Sequence, residues 1–146
     1  MLKDGVINMR YLGIDYGKKR IGLALSDVMG MMAQPYDVIE FKSLKNNIET
    51  ILKIVKEKEV SCIVVGKPIN MNGSEGEMAQ TAQEFVEELK KVIDIKIEMI
   101  DERLTTTQAE RILVEEANVS REKRKGLRDK LAATFILQTY LDIHSH

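Results

Sequence analysis

The 146-residue sequence predicts an α/β protein with a five-stranded mixed sheet flanked by helices, and three observations carry that expectation. Leu12 to Asp15 and Ile21 to Ser26 are short apolar runs joined by the Gly-bearing segment Tyr16 to Arg20, as in an antiparallel hairpin. Val60 to Gly66 is a continuous apolar run, which suits a strand buried on both faces. Helical periodicity separates the later apolar runs, and helical crossovers make consecutive strands parallel.

Taken in order, residues 1–8 read as an appendage. After the hairpin comes a third strand around Tyr36 to Phe41, with Pro35 at its entrance, where a missing amide donor is tolerated. Gly30 and the methionines at 29, 31 and 32 belong to a packed or mobile connection. Ser43 to Glu59 places Leu44, Ile48, Ile51, Leu52 and Val55 on one helical face. Ser74 and Glu77 have the spacing of a capping box ahead of a helix through Phe85, Val86 and Leu89. Ile95 to Ile100 is a further strand, broken by Asp101-Glu102-Arg103. Thr105 and Gln108 form a second capping box, and the basic stretch Arg121 to Lys130 leads into a last helix to about Ile143. One domain spans 9–143, with 144–146 as a tail. The C-terminal ends of strands one, four and five share one sheet edge, which carries Asp15, Gly66-Lys67-Pro68 and Asp101-Glu102, and ligands usually bind at such an edge.

Composition narrows the chemistry. Net charge is -1 with 31% charged residues, so nucleic-acid contact must come from local patches. With 5% aromatics and no tryptophan, an extended base-stacking platform is not expected. No stretch approaches the ~20 apolar residues of a membrane span. The N-terminus does not look like a signal peptide, and the single cysteine, Cys62, fits a reducing cytosol. Both histidines, His144 and His146, fall in the last three residues, so hydrolysis needs another proton acceptor or a metal-bound water.

Asp15 closes an apolar strand, where its type is a poor strand former. Asp129 shares a helical face with Ala132, Ala133, Ile136 and Tyr140, a costly place for a carboxylate without a hydrogen bond or cation. Asp15, Asp101 or Glu102, and Asp129 make an all-oxygen set suited to Mg²⁺ or Mn²⁺. Two such ions about 4 Å apart can activate water for attack on a phosphodiester. Basic residues accompany each acid: Lys18, Lys19 and Arg20 after Asp15, Arg103 after Glu102, and Arg124, Arg128 and Lys130 around Asp129. They suit a phosphate backbone, and the hydroxyls of Thr105 and Thr106 could join them. Taken singly, each feature has a structural alternative: a turn cap, a helix N-terminal acid, a solvated charged face.

Four ordered blocks resemble the YqgF family, also called RuvX-like, with a ribonuclease H-like fold. They are Gly13-Ile14-Asp15-Tyr16-Gly17 with Arg20-Ile21-Gly22 and Ser26-Asp27; Gly66-Lys67-Pro68 with Met71 to Gly76; Asp101 to Thr106; and Asp129-Lys130 with Ala132-Ala133. The resemblance implies a metal-dependent hydrolase with Asp15, Glu102 and Asp129 as metal-binding catalytic acids, and Glu102 is preferred for its central place in Asp-Glu-Arg. Lys67 departs from the family's usual apolar residue and adds charge near the phosphate path. Two substrates are implied: the 5′ end of the small-subunit ribosomal RNA precursor, which is favoured, and the four-way DNA junction, whose paired cutting calls for a two-fold dimer. Expected partners are structured RNA or branched DNA and ribosomal precursor particles, for a cytosolic monomer or homodimer. Two rivals remain: a non-catalytic nucleic-acid-binding module, and an actin-like ATPase half, for which the chain has room for one domain and no Walker-type stretch.

Overall fold

The computed structural model describes residues 2–3, 6–70, 72–104 and 121–144, with side chains described over 8–70, 72–104 and 131–144. The strands are β1 (Leu2–Lys3), β2 (Val6–Ile7), β3 (Tyr11–Tyr16), β4 (Arg20–Ser26), β5 (Ala33–Glu40), β6 (Cys62–Lys67) and β7 (Lys96–Asp101). The helices are α1 (Leu44–Lys58), α2 (Glu77–Val92) and α3 (Arg121–His144).

The main sheet has the order β5-β4-β3-β6-β7. β4 runs antiparallel to β3 and β5, whereas β6 is parallel to both β3 and β7. This is the expected five-stranded mixed sheet. The short β1–β2 hairpin lies in the segment read as an appendage, whose two-residue strands are too brief to leave a periodic signal.

The pleat sends alternate residues of β3 to opposite faces. Leu12, Ile14 and Tyr16 join Ile51, Ile63, Val65, Phe85 and Leu89 in a core covered by α1 and α2. Tyr11, Gly13 and Asp15 face α3 instead, where Ala24, Cys62, Val64, Ala133, Ile136, Leu137 and Tyr140 form a second cluster. α3 approaches closely because Gly13 has no side chain: an ideal Cβ there would fall 2.7 Å from Leu137 Cβ and 2.9 Å from the Ala133 carbonyl oxygen.

Local chemistry sets the boundaries. Ser43 caps α1, its hydroxyl accepting from the Asn46 N–H at 3.1 Å. The Ser74–Glu77 capping box does not form. α2 starts after Gly76 without a side-chain cap, and the Ser74 hydroxyl donates instead to Asn72 Oδ1 at 2.6 Å within the preceding loop. The third strand also begins earlier than expected, at Ala33, with Pro35 inside it. Pro35 is tolerated because β5 is an edge strand with a bulge: Leu23 faces Asp37 and Ala24 faces Pro35, leaving Tyr36 as the extra residue. Met29, Met31 and Met32 are exposed, but their turn is held by Asp27 Oδ1, which accepts from the N–H groups of Met31 and Met32 at 2.8 and 2.9 Å.

Candidate active site

Asp15 lies near the C-terminal end of β3, half-buried on the α3 face. Glycines flank it across the sheet: Gly22 of β4 is its direct partner, and Gly66 of β6 follows Val65, the partner of Ile14. The residue beside it, Tyr16, points the other way and is core. Its ring stacks on Phe85 with centroids 4.1 Å apart, and its hydroxyl accepts from the buried Asn47 Nδ2 at 3.0 Å.

Glu102 reaches Asp15 from the far side of β6. Its N–H donates to the Lys67 carbonyl at 3.0 Å, one step beyond the Lys67–Asp101 pair that ends the β6–β7 ladder. Its side chain returns over Gly66, where an ideal Cβ would stand 2.6 Å from Glu102 Oε1 and 2.9 Å from Glu102 Cγ. The Glu102 carboxyl meets that of Asp15, through charge and a side-chain hydrogen bond that favour its protonated form. Burial, then the Asp15 charge and this bond, and least the Asp101 charge, push Glu102 up to about 8.

Asp101 has a different surrounding. Its carboxylate receives the Arg103 backbone N–H at 2.9 Å and the Arg103 guanidinium, Nε at 2.9 Å and Nη2 at 2.7 Å. Chiefly the side-chain bond to Arg103 holds Asp101 below the usual carboxylate range. Of the two candidate acids at this strand end, the one that meets Asp15 is Glu102. Arg103 is engaged outward by Asp101.

Lys18 and Lys19 are exposed at the tip of the β3–β4 hairpin, which Gly17 closes by donating to the Arg20 carbonyl at 3.1 Å, and Arg20 is half-buried. Lys67 ends β6 with its Nζ 2.9 Å from Glu75 Oε1, so an acid from the loop before α2 meets it. Thr105 and Thr106 lie outside the described residues. Positions 124, 128, 129 and 130 belong to the first half of α3, but the side chains of Arg124, Arg128, Asp129 and Lys130 also lie outside what is described. Position 129 precedes Ala133 by one turn, and Ala133 begins the buried stripe continued by Ile136, Leu137 and Tyr140.

Sequence reasoning placed Gly66 on this edge but gave it no role of its own. The available signal was a glycine near the end of an otherwise branched strand, which often marks a close approach, but what approaches depends on the strand order. Cavities of about 310 and 350 Å³, both lined by Lys42, Asn46 and Thr50, lie at α1, which packs on the sheet face opposite Asp15.

The acid pair has the chemistry of a hard-cation site. It offers only oxygen donors, and burial beside the Asp15 charge disfavours an ionised Glu102, a cost that a dication would relieve. Among the described residues no group of three or more metal-ligating side chains occurs, and the side chain of Asp129, the third predicted ligand, is not described.

A family model described as "RuvX: Holliday junction resolvase" matches residues 9–143. A protein of Endomicrobium trichonymphae named "Putative pre-16S rRNA nuclease" is 56% identical over 136 residues, covering 93% of this chain and 97% of its own. A protein of the same name from Thermoanaerobacter pseudethanolicus is 50% identical over 134 residues, covering 92% and 96%. In shape the chain is similar to the solved structure of T. thermophilus RuvC in complex with a Holliday junction substrate. The TM-score is 0.58 at 14% identity, covering 94% of this chain and 97% of that one, a likeness of fold. The fold is thus that of ribonuclease H-like resolvases, and the chain belongs to the RuvX family of nucleases.

Proposed function

We propose that this chain is a metal-dependent nuclease that hydrolyses phosphodiester bonds in the precursor of small-subunit ribosomal RNA, at its 5′ end. The observation that carries the reading is the Asp15–Glu102 carboxyl pair, formed at one sheet edge by the end of β3 and the residue that follows β7. The substrate rests on the names of the relatives with which the chain shares half or more of its residues.

In this reading Asp15, Glu102 and Asp129 hold Mg²⁺ or Mn²⁺. When bound, such an ion supplies an activated water and neutralises charge on the phosphate under attack. The chain's own residues divide the remaining work. Asp15 and Glu102 would hold the ion as carboxylates, so its binding would favour the ionised form of Glu102 over the protonated form that burial favours. Lys18, Lys19 and Arg20 position a strand at the hairpin tip, and Arg103, Thr105, Thr106, Arg124, Arg128 and Lys130 continue its path. Lys67 belongs to this set only if it leaves Glu75. The active unit is one domain over 9–143, a cytosolic monomer or homodimer that meets its RNA in ribosomal precursor particles. Among the described residues no helix is long and apolar enough to cross a membrane.

A second reading, cleavage of branched DNA, is favoured by the family's description. The test is cleavage of a labelled ribosomal RNA precursor fragment and a labelled four-way DNA junction, each with Mn²⁺ or Mg²⁺, by wild type and Asp15→Asn. Metal-dependent cutting of the RNA that vanishes in the variant is the expected result. The same pattern on the junction alone selects the second reading, and equal binding by both proteins without cutting overturns both.

A further inference from the structure

We propose that Gly66 is a positioning residue for the acid pair: its missing side chain leaves the gap over β6 through which Glu102 reaches Asp15, and that gap sets the pair's affinity for a divalent cation. The inference rests on the reading of Asp15 and Glu102 as cation ligands.

Strand order creates the need for the gap. β6 lies between β3, which bears Asp15, and β7, which Glu102 follows, so these strands are about 10 Å apart at the usual interstrand spacing. Neither carboxyl can meet the other except over the strand between them. Glu102 makes that crossing, with its Oε1 and Cγ 2.6 and 2.9 Å from where a Cβ of residue 66 would stand. Any side chain there occupies the space of the acid itself.

The backbone does not require glycine at this position. Among the described residues the glycines with positive φ are Gly30 and Gly73, so an L side chain suits the conformation of residue 66. A glycine that weakens a strand without answering a conformational demand is there for space. Two neighbours use that space, Glu102 and the Ile136 Cδ1 of α3, which would lie 2.5 Å from the added Cβ. Both are side chains that can move, so the fold can accommodate an alanine. Only a displaced Glu102 changes the acid pair.

The two neighbours can be separated. Ile136→Val removes Cδ1 and leaves Glu102 as the obstacle. Mn²⁺ binding, followed through the electron paramagnetic resonance signal of the free ion, would be compared in wild type, Ile136→Val, Gly66→Ala/Ile136→Val and Asp15→Asn. Ile136→Val should bind within about twofold of wild type. Gly66→Ala/Ile136→Val should unfold cooperatively yet bind on the order of 10- to 100-fold more weakly, as when an outer partner of a metal ligand is lost, and raised Mn²⁺ should restore its cleavage. In a Glu102→Ala/Ile136→Val background, which removes both obstacles, adding Gly66→Ala should cost no further affinity. Equal loss in the presence and absence of Glu102, or binding by Gly66→Ala/Ile136→Val within about twofold of Ile136→Val, overturns the proposal. If wild type and Asp15→Asn bind Mn²⁺ alike, the cation reading of the acids fails and the proposal with it. If Asp15→Asn loses the ion and the Gly66 variant does not, the proposal fails alone.

Discussion

The two faces of the sheet are built from different materials. Against α1 and α2 the strands present large side chains, Leu12, Ile14, Ile21, Leu23, Ile63 and Val65, packed on Phe85, Leu89 and Ile51, and the Tyr16 hydroxyl meets the buried Asn47. Against α3 they present Gly13, Ala24, Cys62, Val64 and Gly66 between Tyr11 and Ile100, and the helix answers with the small Ala133 among Ile136, Leu137, Tyr140 and Leu141. The first face makes stability out of volume. The second keeps helix and sheet close, and at its C-terminal end brings two carboxyls together at a cost in burial. Their separation implies that fold and chemistry can be damaged independently.

The largest expected effect is on the α3 face. Asp15→Asn should lower metal-dependent cleavage by on the order of 10²- to 10³-fold or more, the scale of losing a group that stabilises developing charge, with cooperative unfolding retained. On the other face, Phe85→Ala should cost about 3–5 kcal/mol in urea or thermal unfolding, with little change in cleavage per folded molecule. If either change spreads fully to the other property, the two faces are not separable.

The third expectation concerns pH. Glu102 has a folded value of about 8 against an ordinary 4.5, so its contribution to stability is fully present below about 4.5 and is lost as pH rises through about 8. Without divalent cations, the urea midpoint should therefore fall between those pH values. Glu102→Gln should flatten that fall, and Mn²⁺ should oppose it. A midpoint independent of pH over this window would mean that Glu102 is not protonated beside Asp15.

The smallest effect should come from the neighbouring acid. Asp101 and Arg103 form an outward ion pair, so Asp101→Asn should change stability by no more than about 1 kcal/mol and leave Mn²⁺ affinity near that of wild type. A loss as large as that of Glu102→Gln would reverse the assignment of the second acid.

Much of this contrast was legible in the residues. The unbroken apolar run of β6 reflects burial on both faces, and α1 and α2 carry their buried residues at helical spacing. The shared sheet edge followed from connection rules. What could not be read depends on partners distant in the chain or on local competition for one group. Tyr16 beside Asp15 could have been a site residue until Asn47 and Phe85, 31 and 69 positions away, enclosed it. Ser74 has the spacing of a cap, yet Asn72 competes for its hydroxyl. Gly66 has meaning only once β6 is known to lie between the acids.

The bulge at Tyr36 bears on how this protein behaves in a crowded solution. A long, flat outer strand exposes a row of amides and carbonyls on which another chain can grow. Here one border is kinked at Tyr36 and lacks a donor at Pro35, and the other, β7, carries the Lys96–Glu98 ion pair at 3.1 Å along its length. Both rims are poor templates for sheet extension, a property that protects discrete molecules from polymerising.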